Sequence, residues 1–493
     1  MLFNSIHFVV FFILVSGLYF LFPYRFRWFL LLAASCYFYM IFKPIYILIL
    51  FFTIVIDYFA GIYIHMAEGS RRKRLLLLSL VANVGILAIF KYFNFLNFNL
   101  TAFLGLFRVE NPIPFLEILL PIGLSFHTFQ AMSYTIEVYR GNQLPEKHFG
   151  IYALYVMFYP QLVAGPIERP QNVLHQFREK FDFDYNRVAL GLRQMALGMF
   201  KKVVIADRLA VYVNQVYNHP ENYTGLPLIL ATIFFSFQIY CDFSGYSDIA
   251  LGSARVMGFN LMKNFDRPYF STSISEFWRR WHISLSTWFR DYLYIPLGGN
   301  KVVKSRWFFN LFFTFLVSGL WHGASWNFVI WGSLHGIFLI LAIVFIKPIQ
   351  GFTQFLENTF GKTLTWVFHN LWTFVLVAFA WVFFRAANFP DAIYIIQNFG
   401  NDLIFSIKAS IFNTGNLRNH FLYVERNKLH FFFSISLIFF LLVFEYFQGK
   451  GSLTQYFLKK HPTFRWVLYF ALSWLFLLLG MFQSKQQFTY FQF

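Results

Sequence analysis

Long apolar runs, separated by short clusters of charged residues, recur along almost the whole chain of 493 residues. A helix needs roughly 20 apolar residues to cross the hydrocarbon core of a bilayer. The pattern therefore predicts an all-α, polytopic transmembrane protein with about 11 or 12 spans, folded as a single domain over residues 1–493. The predicted spans are 7–22, 28–42, 45–66, 75–98, 115–138, 203–217, 226–253, 307–322, 326–347, 364–386, 428–447 and 464–482.

Three stretches depart from this pattern. Residues 151–164 are apolar but too short to cross, which predicts a re-entrant segment whose backbone must be covered by protein or line a cavity. A polar, basic stretch from 257 to 306 is predicted to be cytoplasmic, and a second polar stretch from 387 to 427 is predicted to face outside.

The composition supports a membrane protein. Hydrophobic residues make up 58% of the chain and charged residues only 13%, whereas soluble domains carry about 25% charged residues. A soluble fold of this length cannot bury so much apolar surface, because even large cores leave a polar exterior. Lipid is therefore expected to cover the remainder.

The charge is strongly basic, with 40 Lys and Arg against 22 Asp and Glu. These basic residues lie between apolar runs, where they act as topology signals and contact anionic lipid headgroups, so we expect no nucleic-acid partner. Clusters at 25–27, 71–74 and 140–147 follow odd-numbered spans, which predicts an extracytoplasmic N-terminus. Neither of the two cysteines belongs to a metal-spacing motif, and we expect no metal and no bound cofactor.

Residues 274–292 carry an aromatic stripe at helical spacing, which predicts one amphipathic helix lying in or near the interface plane. The stripe comprises Ile274, Trp278, Trp281, His282, Leu285, Trp288, Phe289 and Tyr292, and the residues facing away are Arg279, Arg280, Arg290 and Asp291. Two interpretations remain open: a lipid anchor with a cationic edge, or one wall of a cytoplasmic entrance for an anionic donor such as coenzyme A.

Residues 318–326 read SGLWHGASW, an apolar helix broken by small residues around His322. The neighbours Ser318 and Trp321 share this segment. Ionisable groups at membrane depth face a cavity or the bundle interior, and loss of water should keep this imidazole neutral and able to accept a proton. The pattern favours a general base at His322; the alternative is a core histidine hydrogen-bonded across helices.

A third polar segment, 238–248, places Asp242 and Ser244 inside an otherwise apolar span. Three roles remain open for them: lining a polar tunnel, orienting a histidine, or holding helices together.

Several of these motifs resemble membrane-bound O-acyltransferases of the alginate O-acetylase type. The matching segments are RPYFSTSISEFWRRWHISLSTWFRDYLYIPLGGN, LVSGLWHGASW, PIGLSFHTFQAMSYTIEVYRG, YPQLVAGPIERP, QIYCDFSGYSDIALG and FTYFQF. The resemblance covers essentially the whole chain. It implies a ring of helices around a central channel open to both sides, with His322 as the catalytic residue and His282 as the second histidine of that channel. We expect the channel to be lined by Trp278, Arg279, Trp281, Trp288, Trp321, Ser318, Asp242 and Ser244.

The resemblance implies a bacterial inner-membrane enzyme. It would move an acyl group, expected to be acetyl, from a cytoplasmic acyl-CoA to an extracytoplasmic polysaccharide such as alginate, or to a partner acetyltransferase. Alternatives are D-alanyl transfer to a cell-envelope polymer, a glycan or solute transporter using His322 as a proton relay, and an assembly scaffold.

Overall fold

The computed structural model describes residues 1–116, 121–163, 165–401, 428–451 and 461–481. All regular secondary structure in these ranges is helical. The helices are α1 (Ile6–Leu21), α2 (Arg27–Met40), α3 (Ile47–Met66), α4 (Gly69–Leu87), α5 (Phe93–Leu106), α6 (Leu124–Arg140), α7 (Phe149–Met157), α8 (Tyr159–Leu162), α9 (Pro170–Val173), α10 (Tyr185–Met199), α11 (Asp207–Tyr217), α12 (Leu226–Met257), α13 (Ile274–Arg280), α14 (Ile283–Phe289), α15 (Lys304–His322), α16 (Trp326–Val344), α17 (Ile346–Arg385), α18 (Phe389–Gln397), α19 (Lys428–Lys450) and α20 (Pro462–Leu479).

Every predicted span coincides at least in part with one of these helices, so the all-α, polytopic fold is confirmed. Six helical segments of the described ranges are long and apolar enough to cross a membrane, and two shorter apolar helices accompany them. The six are Pro44–Met66, Gly69–Leu106, Leu226–Met257, Trp326–Val344, Ile346–Arg385 and Leu429–Lys450. The predicted total of about 11 or 12 crossings and the extracytoplasmic orientation of the N-terminus stay predictions.

Some boundaries differ from the prediction. The span predicted over 115–138 becomes helical only at Leu124, after Gly123 in a left-handed conformation (φ 78°), while residues 117–120 lie outside the described ranges. The span predicted over 203–217 is the end of a longer helical run that begins at Tyr185. Within α17, Gly361 (φ 78°) breaks the helix shortly before the predicted span at 364.

Within the described ranges, three segments are π-helical: Ala88–Tyr92, Phe200–Ala206 and Arg290–Tyr294. The first joins α4 to α5 and the second joins α10 to α11 without a break in the helical run. Such widened turns are rare and are frequent at functional sites. The first carries Lys91 and the second carries Lys201 and Lys202, and these lysines bond to groups inside the protein.

Helix α12 is the most enclosed of the candidate spans, with 78% of its apolar window buried. It packs against α10 at two glycine contacts, where the backbones touch. A methyl group on Gly198 would lie 2.5 Å from the carbonyl oxygen of Gly245, and one on Gly191 would lie 2.7 Å from that of Gly252. Small residues at membrane-helix interfaces allow this close approach.

Helices α15 and α16, which precede and follow the break at His322, also pack against each other through glycines. A methyl group on Gly319 would lie 2.2 Å from the carbonyl oxygen of Phe328, and one on Gly332 would lie 2.3 Å from that of Phe315. The glycine before His322 therefore serves helix packing, because a backbone already occupies the space beside it.

The segment predicted to be re-entrant forms α7 and α8, both buried. The chain breaks at Phe158, and side chains supply partners for the backbone there. Ser35 accepts from the Tyr159 N–H at 3.0 Å, and Gln161 donates to the carbonyl of Tyr155 at 2.7 Å. Non-helical backbone at membrane depth requires such cover.

The two polar stretches contain short helices. The stretch 257–306 includes α13 and α14, and the stretch 387–427 begins with α18. Its remainder, 402–427, lies outside the described residues, as does the closing motif FTYFQF.

Candidate active site

His322 is the last residue of α15, and its ring is buried among aromatic side chains. The ring centres of Trp321, Trp331 and Phe384 lie 4.9, 4.9 and 5.4 Å from that of the imidazole. The chain leaves the helix through Gly323 in an extended conformation, and Ser325 precedes the next helix. The predicted helix break around His322 is confirmed.

The end of α15 is held by two residues of the π segment between α4 and α5. The Lys91 ammonium donates to the carbonyl oxygens of Trp321 (2.7 Å) and His322 (2.9 Å). The Tyr92 hydroxyl donates to the carbonyl oxygen of Leu320 at 2.7 Å. A cation at a helix C-terminus also interacts favourably with the helix dipole.

His282 does not lie within one continuous helix, so the prediction of a single amphipathic helix over 274–292 is wrong. The chain breaks between α13 and α14, and His282 adopts a left-handed conformation (φ 44°, ψ 55°). The reason is a neighbouring loop that takes the backbone groups a helix would use. Asn264 accepts from the Ile283 N–H at 2.9 Å, and Asp266 donates its N–H to the carbonyl of Arg280 at 2.9 Å.

The predicted division of this segment into buried and exposed faces nevertheless holds. Trp278, Trp281, His282 and Trp288 are buried, and Arg279 is exposed. The break bends the segment without turning the stripe outward.

The two candidate histidines both contact one indole ring. The centre of Trp321 is 4.9 Å from the ring of His322 and 6.2 Å from that of His282. His282 also packs edge-on against Phe243 of α12 at 4.6 Å. Elements that are far apart in sequence thus bring both imidazoles to one place.

A third histidine belongs to the same region. His335 of α16 accepts a hydrogen bond from the Trp278 indole at 3.2 Å, and its ring lies 5.0 Å from Trp331. Trp331 therefore contacts both His335 and His322. Since Nδ1 of His335 accepts, the neutral ring carries its proton on Nε2.

Several buried donors around His322 are unused. Within the described ranges, the indole N–H groups of Trp321, Trp331 and Trp381 and Nε2 of His335 have no hydrogen-bond partner. Trp381 stacks on Trp331 at 5.7 Å. We define the aromatic site as His322, His335, Trp321, Trp331 and Trp381. Buried polar groups normally have partners, so these donors are available to a ligand.

The other predicted aromatic residues lie around this site. The ring centres of Trp281 and Trp381 lie 5.1 Å apart. Trp288 stacks on Phe129 at 3.8 Å and donates to the Phe129 carbonyl and the Ser133 hydroxyl. The indole of Trp288 is thus already satisfied by protein groups. Ser318 is buried on α15, one turn before His322.

Asp242 belongs to a buried set of ion pairs. Lys202 of the second π segment lies 2.7 Å from Asp242 and 2.8 Å from Asp207. Its neighbour Lys201 lies 2.9 Å from Asp248. We define the ion-pair cluster as Lys201, Lys202, Asp207, Asp242 and Asp248. Ser244 is buried close by on α12, and its hydroxyl has no hydrogen-bond partner among the residues that the structure describes.

The exposed edge beside α13 carries two arginines, and one of them, Arg280, is paired with Glu276. Partial burial raises the pKa of Glu276, yet hydrogen bonds from Thr272 and the ion pair with Arg280 at 2.6 Å outweigh it and leave the pKa below its usual value. Arg279 has no acidic partner within the described ranges and remains exposed. This edge therefore keeps a free guanidinium for an anionic ligand.

Two of these residues were not among the predicted site residues, although both lie within predicted spans. Lys91 is a charged residue inside the predicted span 75–98, and charged residues within spans mark function. His335 lies within the predicted span 326–347, but no polar neighbour in the sequence pointed to it, since its partner Trp278 is 57 residues away in the chain.

Comparison with known proteins identifies the family. The family model described as MBOAT, membrane-bound O-acyltransferase family, matches residues 142–387. The "Probable alginate O-acetylase AlgI" of Azotobacter vinelandii is 41% identical over 395 residues, which cover 80% of this chain and 76% of that protein. The peptidoglycan O-acetyltransferase of Helicobacter pylori is 37% identical over 396 residues, 74% of this chain and 72% of that protein.

A teichoic acid D-alanyltransferase of Streptococcus thermophilus is more distant, at 30% identity over 58% of this chain and 70% of its own length. The matched segment 142–387 includes both His282 and His322 and leaves Lys91 outside. Together with the helical fold, these similarities show that the chain belongs to the membrane-bound O-acyltransferase family and is a multi-pass membrane O-acyltransferase.

Proposed function

We propose that the protein transfers an acetyl group from a cytoplasmic acyl-CoA to a hydroxyl of an extracytoplasmic polysaccharide, with His322 as general base. The observation that carries this proposal is the pair of buried imidazoles that both contact the indole ring of Trp321, with ring centres 4.9 Å (His322) and 6.2 Å (His282) from it. Groups that act on one substrate must lie within one small volume, and the fold brings these two together from separate segments of the chain.

The step assigned to His322 is proton transfer. The acceptor hydroxyl attacks the thioester carbonyl, an O–C bond forms, and the C–S bond breaks. His322 takes the hydroxyl proton and passes it to the departing thiolate, so the products are the acetyl ester and free coenzyme A. General base catalysis contributes about 10²–10⁴-fold in rate, and positioning two substrates in one site supplies up to roughly 7–11 kcal/mol more.

Unused donors support a substrate beside His322. The indole N–H groups of Trp331 and Trp381, for which the structure shows no partner in its described ranges, would donate to the carbonyl oxygen of the acyl group or to amide oxygens of the donor. A buried donor without an acceptor costs about 1–3 kcal/mol, so a ligand that satisfies it gains affinity.

The exposed edge of α13 is our proposed entrance for the donor. Arg279 is exposed there, while Trp278 on the same helix reaches inward to His335. The helix thus links a cationic surface, suited to the phosphates of coenzyme A, with the buried aromatic site. We propose that this edge faces the cytoplasm, that the N-terminus is extracytoplasmic, and that the protein lies in a bacterial inner membrane.

The names of the relatives guide the choice of acyl group and acceptor. Two are named for O-acetylation: one is 41% identical over 80% of this chain and the other 37% identical over 74% of it, and the D-alanyl relative is more distant. We therefore propose acetyl as the transferred group and a polysaccharide, such as alginate or peptidoglycan, as the acceptor. A partner acetyltransferase that passes the group on is compatible with the same chemistry.

The test is acetyl transfer by purified protein in lipid nanodiscs. Acetyl-CoA labelled in the acetyl group is supplied with alginate oligosaccharides in one series and peptidoglycan fragments in another, and ester-linked label is counted. We expect His322→Ala to lower the rate by about 10²–10⁴-fold. The matched control is His369→Ala, because His369 lies in α17 and bonds to Thr353 at 2.9 Å, away from the aromatic site.

Two results would contradict the proposal. One is a parental transfer rate in His322→Ala. The other is a parent protein that transfers D-alanyl groups from a carrier thioester and leaves acetyl-CoA unused.

A further inference from the structure

Lys91 is a charged residue in the middle of an apolar span, and its ammonium ends at the backbone of the site. It belongs to the π segment Ala88–Tyr92 within the span Gly69–Leu106. Its Nζ lies 2.7 Å from the Trp321 carbonyl oxygen and 2.9 Å from that of His322. We propose that Lys91 is a positioning residue that fixes the last turn of α15 and thereby the imidazole of His322. This inference rests on the function proposed above.

The hydrogen bonds at the end of α15 show how much depends on the π segment. An α-helix leaves its last four carbonyl groups without donors from the helix itself. The carbonyl of Gly319 accepts from the Gly323 N–H at 3.3 Å. The next carbonyl, that of Leu320, accepts from Tyr92, and the two after it accept from Lys91. The adjacent side chains Lys91 and Tyr92 therefore satisfy three successive carbonyls.

An ammonium suits this position better than a neutral group. It carries several N–H donors on one atom, so it can bridge two neighbouring carbonyls. Its charge interacts favourably with the negative end of the helix dipole. It also lies 5.9 Å from the ring centre of Trp321, which adds an attraction between cation and ring. A lysine is costly at membrane depth, and such residues are kept for function.

The consequence for catalysis follows from the backbone. The helix ends at His322, so beyond this residue no further turn restrains the ring. Without the ammonium, two carbonyls lose their donor and the last turn is free to unwind. A displacement of about 1 Å at a catalytic group can lower a rate by about 10²-fold.

The experiment compares Lys91→Met, Lys91→Arg and Tyr92→Phe in the nanodisc assay with labelled acetyl-CoA. We expect Lys91→Met to lower kcat by roughly 10²-fold while KM for acetyl-CoA changes by less than about twofold. The kcat of Lys91→Arg should be at least about tenfold higher than that of Lys91→Met, because a guanidinium also offers several N–H donors. Tyr92→Phe, which removes one of the three bonds, should lower kcat by roughly three- to tenfold.

The matched control is Lys73→Met. Lys73 is an exposed lysine near the start of the same helical run, and no hydrogen bond or ion pair joins it to the described part of α15, so we expect parental kcat and KM. The thermal unfolding midpoint of each variant is measured in parallel. If Lys91→Met does not fold, Lys91→Arg and Tyr92→Phe still give the kinetic answer.

The inference is overturned if Lys91→Met keeps the parental kcat, if its loss is confined to KM, or if arginine restores nothing. A failure of the underlying proposal looks different. In that case the parent does not transfer acetyl from acetyl-CoA, or His322→Ala is as active as the parent.

Discussion

The aromatic site and the ion-pair cluster are two buried polar regions built in opposite ways. In the ion-pair cluster, Lys202 lies between two carboxylates at 2.7 and 2.8 Å. In the aromatic site, indole donors on Trp321, Trp331 and Trp381 have no acceptor within the ranges that the structure describes. The charges of the ion-pair cluster are thus paired within the protein, whereas the aromatic site keeps donors that can bond to a ligand.

This difference separates structural polarity from functional polarity inside a membrane protein. Charges at membrane depth are tolerated when they pair with each other, and such pairs hold helices together. Donors without acceptors are costly unless a substrate or water uses them. The presence of polar residues in a span is therefore a weaker indication of function than the state of their partners.

The largest effect is expected from breaking the ion-pair cluster at its centre. Lys202→Met leaves Asp207 and Asp242 buried without their cation, and removal of one partner of a buried pair costs about 3–5 kcal/mol. We expect a strongly lowered thermal unfolding midpoint and a low yield of monodisperse protein. The exposed Lys362 provides the control, since Lys362→Met removes a lysine without touching a buried pair.

A triple variant sharpens this prediction. Combining Lys202→Met with Asp207→Asn and Asp242→Asn removes the charges together, and replacing whole buried pairs is often nearly neutral. The unfolding midpoint should recover most of the loss. If Lys202→Met unfolds like the parent but loses acetyl transfer, the ion-pair cluster acts in catalysis and is not a purely structural region.

The positions of the helices were predictable from the sequence because hydropathy is local. A span such as 226–253 is visible as a run of apolar residues, and it forms α12. The break at His282 was not predictable, because its cause is Asn264, whose backbone takes the N–H that a continuous helix would use. Periodicity describes a helix in isolation and carries no information about such competition from another segment.

The candidate site was predictable only in part, for the same reason. The motif around His322 is recognisable in the sequence, since glycines and a histidine interrupt an apolar run. The sequence left two interpretations open for Asp242, and only the fold shows its partner Lys202, 40 positions away. Pairings between distant residues decide which polar groups are satisfied, and these pairings exist only in three dimensions.

An intermediate effect is expected in the aromatic site itself. Trp331→Phe keeps an aromatic ring and removes an indole N–H for which the described residues offer no acceptor. The smaller ring leaves a cavity because Trp331 is fully buried, but no hydrogen bond to the described residues is lost, so the unfolding midpoint should fall less than in Trp288→Phe, which loses the same ring volume and its hydrogen bonds. A substrate oxygen that loses this donor loses about 1 kcal/mol or slightly more, which lowers kcat/KM by roughly five- to tenfold.

Trp288→Phe is the contrasting variant for that experiment. The Trp288 indole donates to the Phe129 carbonyl and the Ser133 hydroxyl, so its removal leaves buried acceptors and should lower stability by about 1–3 kcal/mol. Kinetics and thermal unfolding are measured on both variants in nanodiscs. Loss of stability without loss of rate in Trp331→Phe would place that indole among the satisfied groups.

The smallest effect is expected at Ser244, which shares a feature with each of the two regions. It shares α12 with Asp242, yet its buried hydroxyl has no hydrogen-bond partner in the described part of the chain. Removing a hydroxyl that bonds to no protein group costs little, so Ser244→Ala should change stability by less than about 1 kcal/mol. If the hydroxyl contacts a bound substrate, kcat/KM falls by roughly two- to fivefold, whereas a lowered unfolding midpoint at parental kcat/KM would assign Ser244 to the structural side. Ser236→Ala on the same helix is the reference, because its hydroxyl donates to the Thr232 carbonyl at 2.9 Å and belongs to that side already.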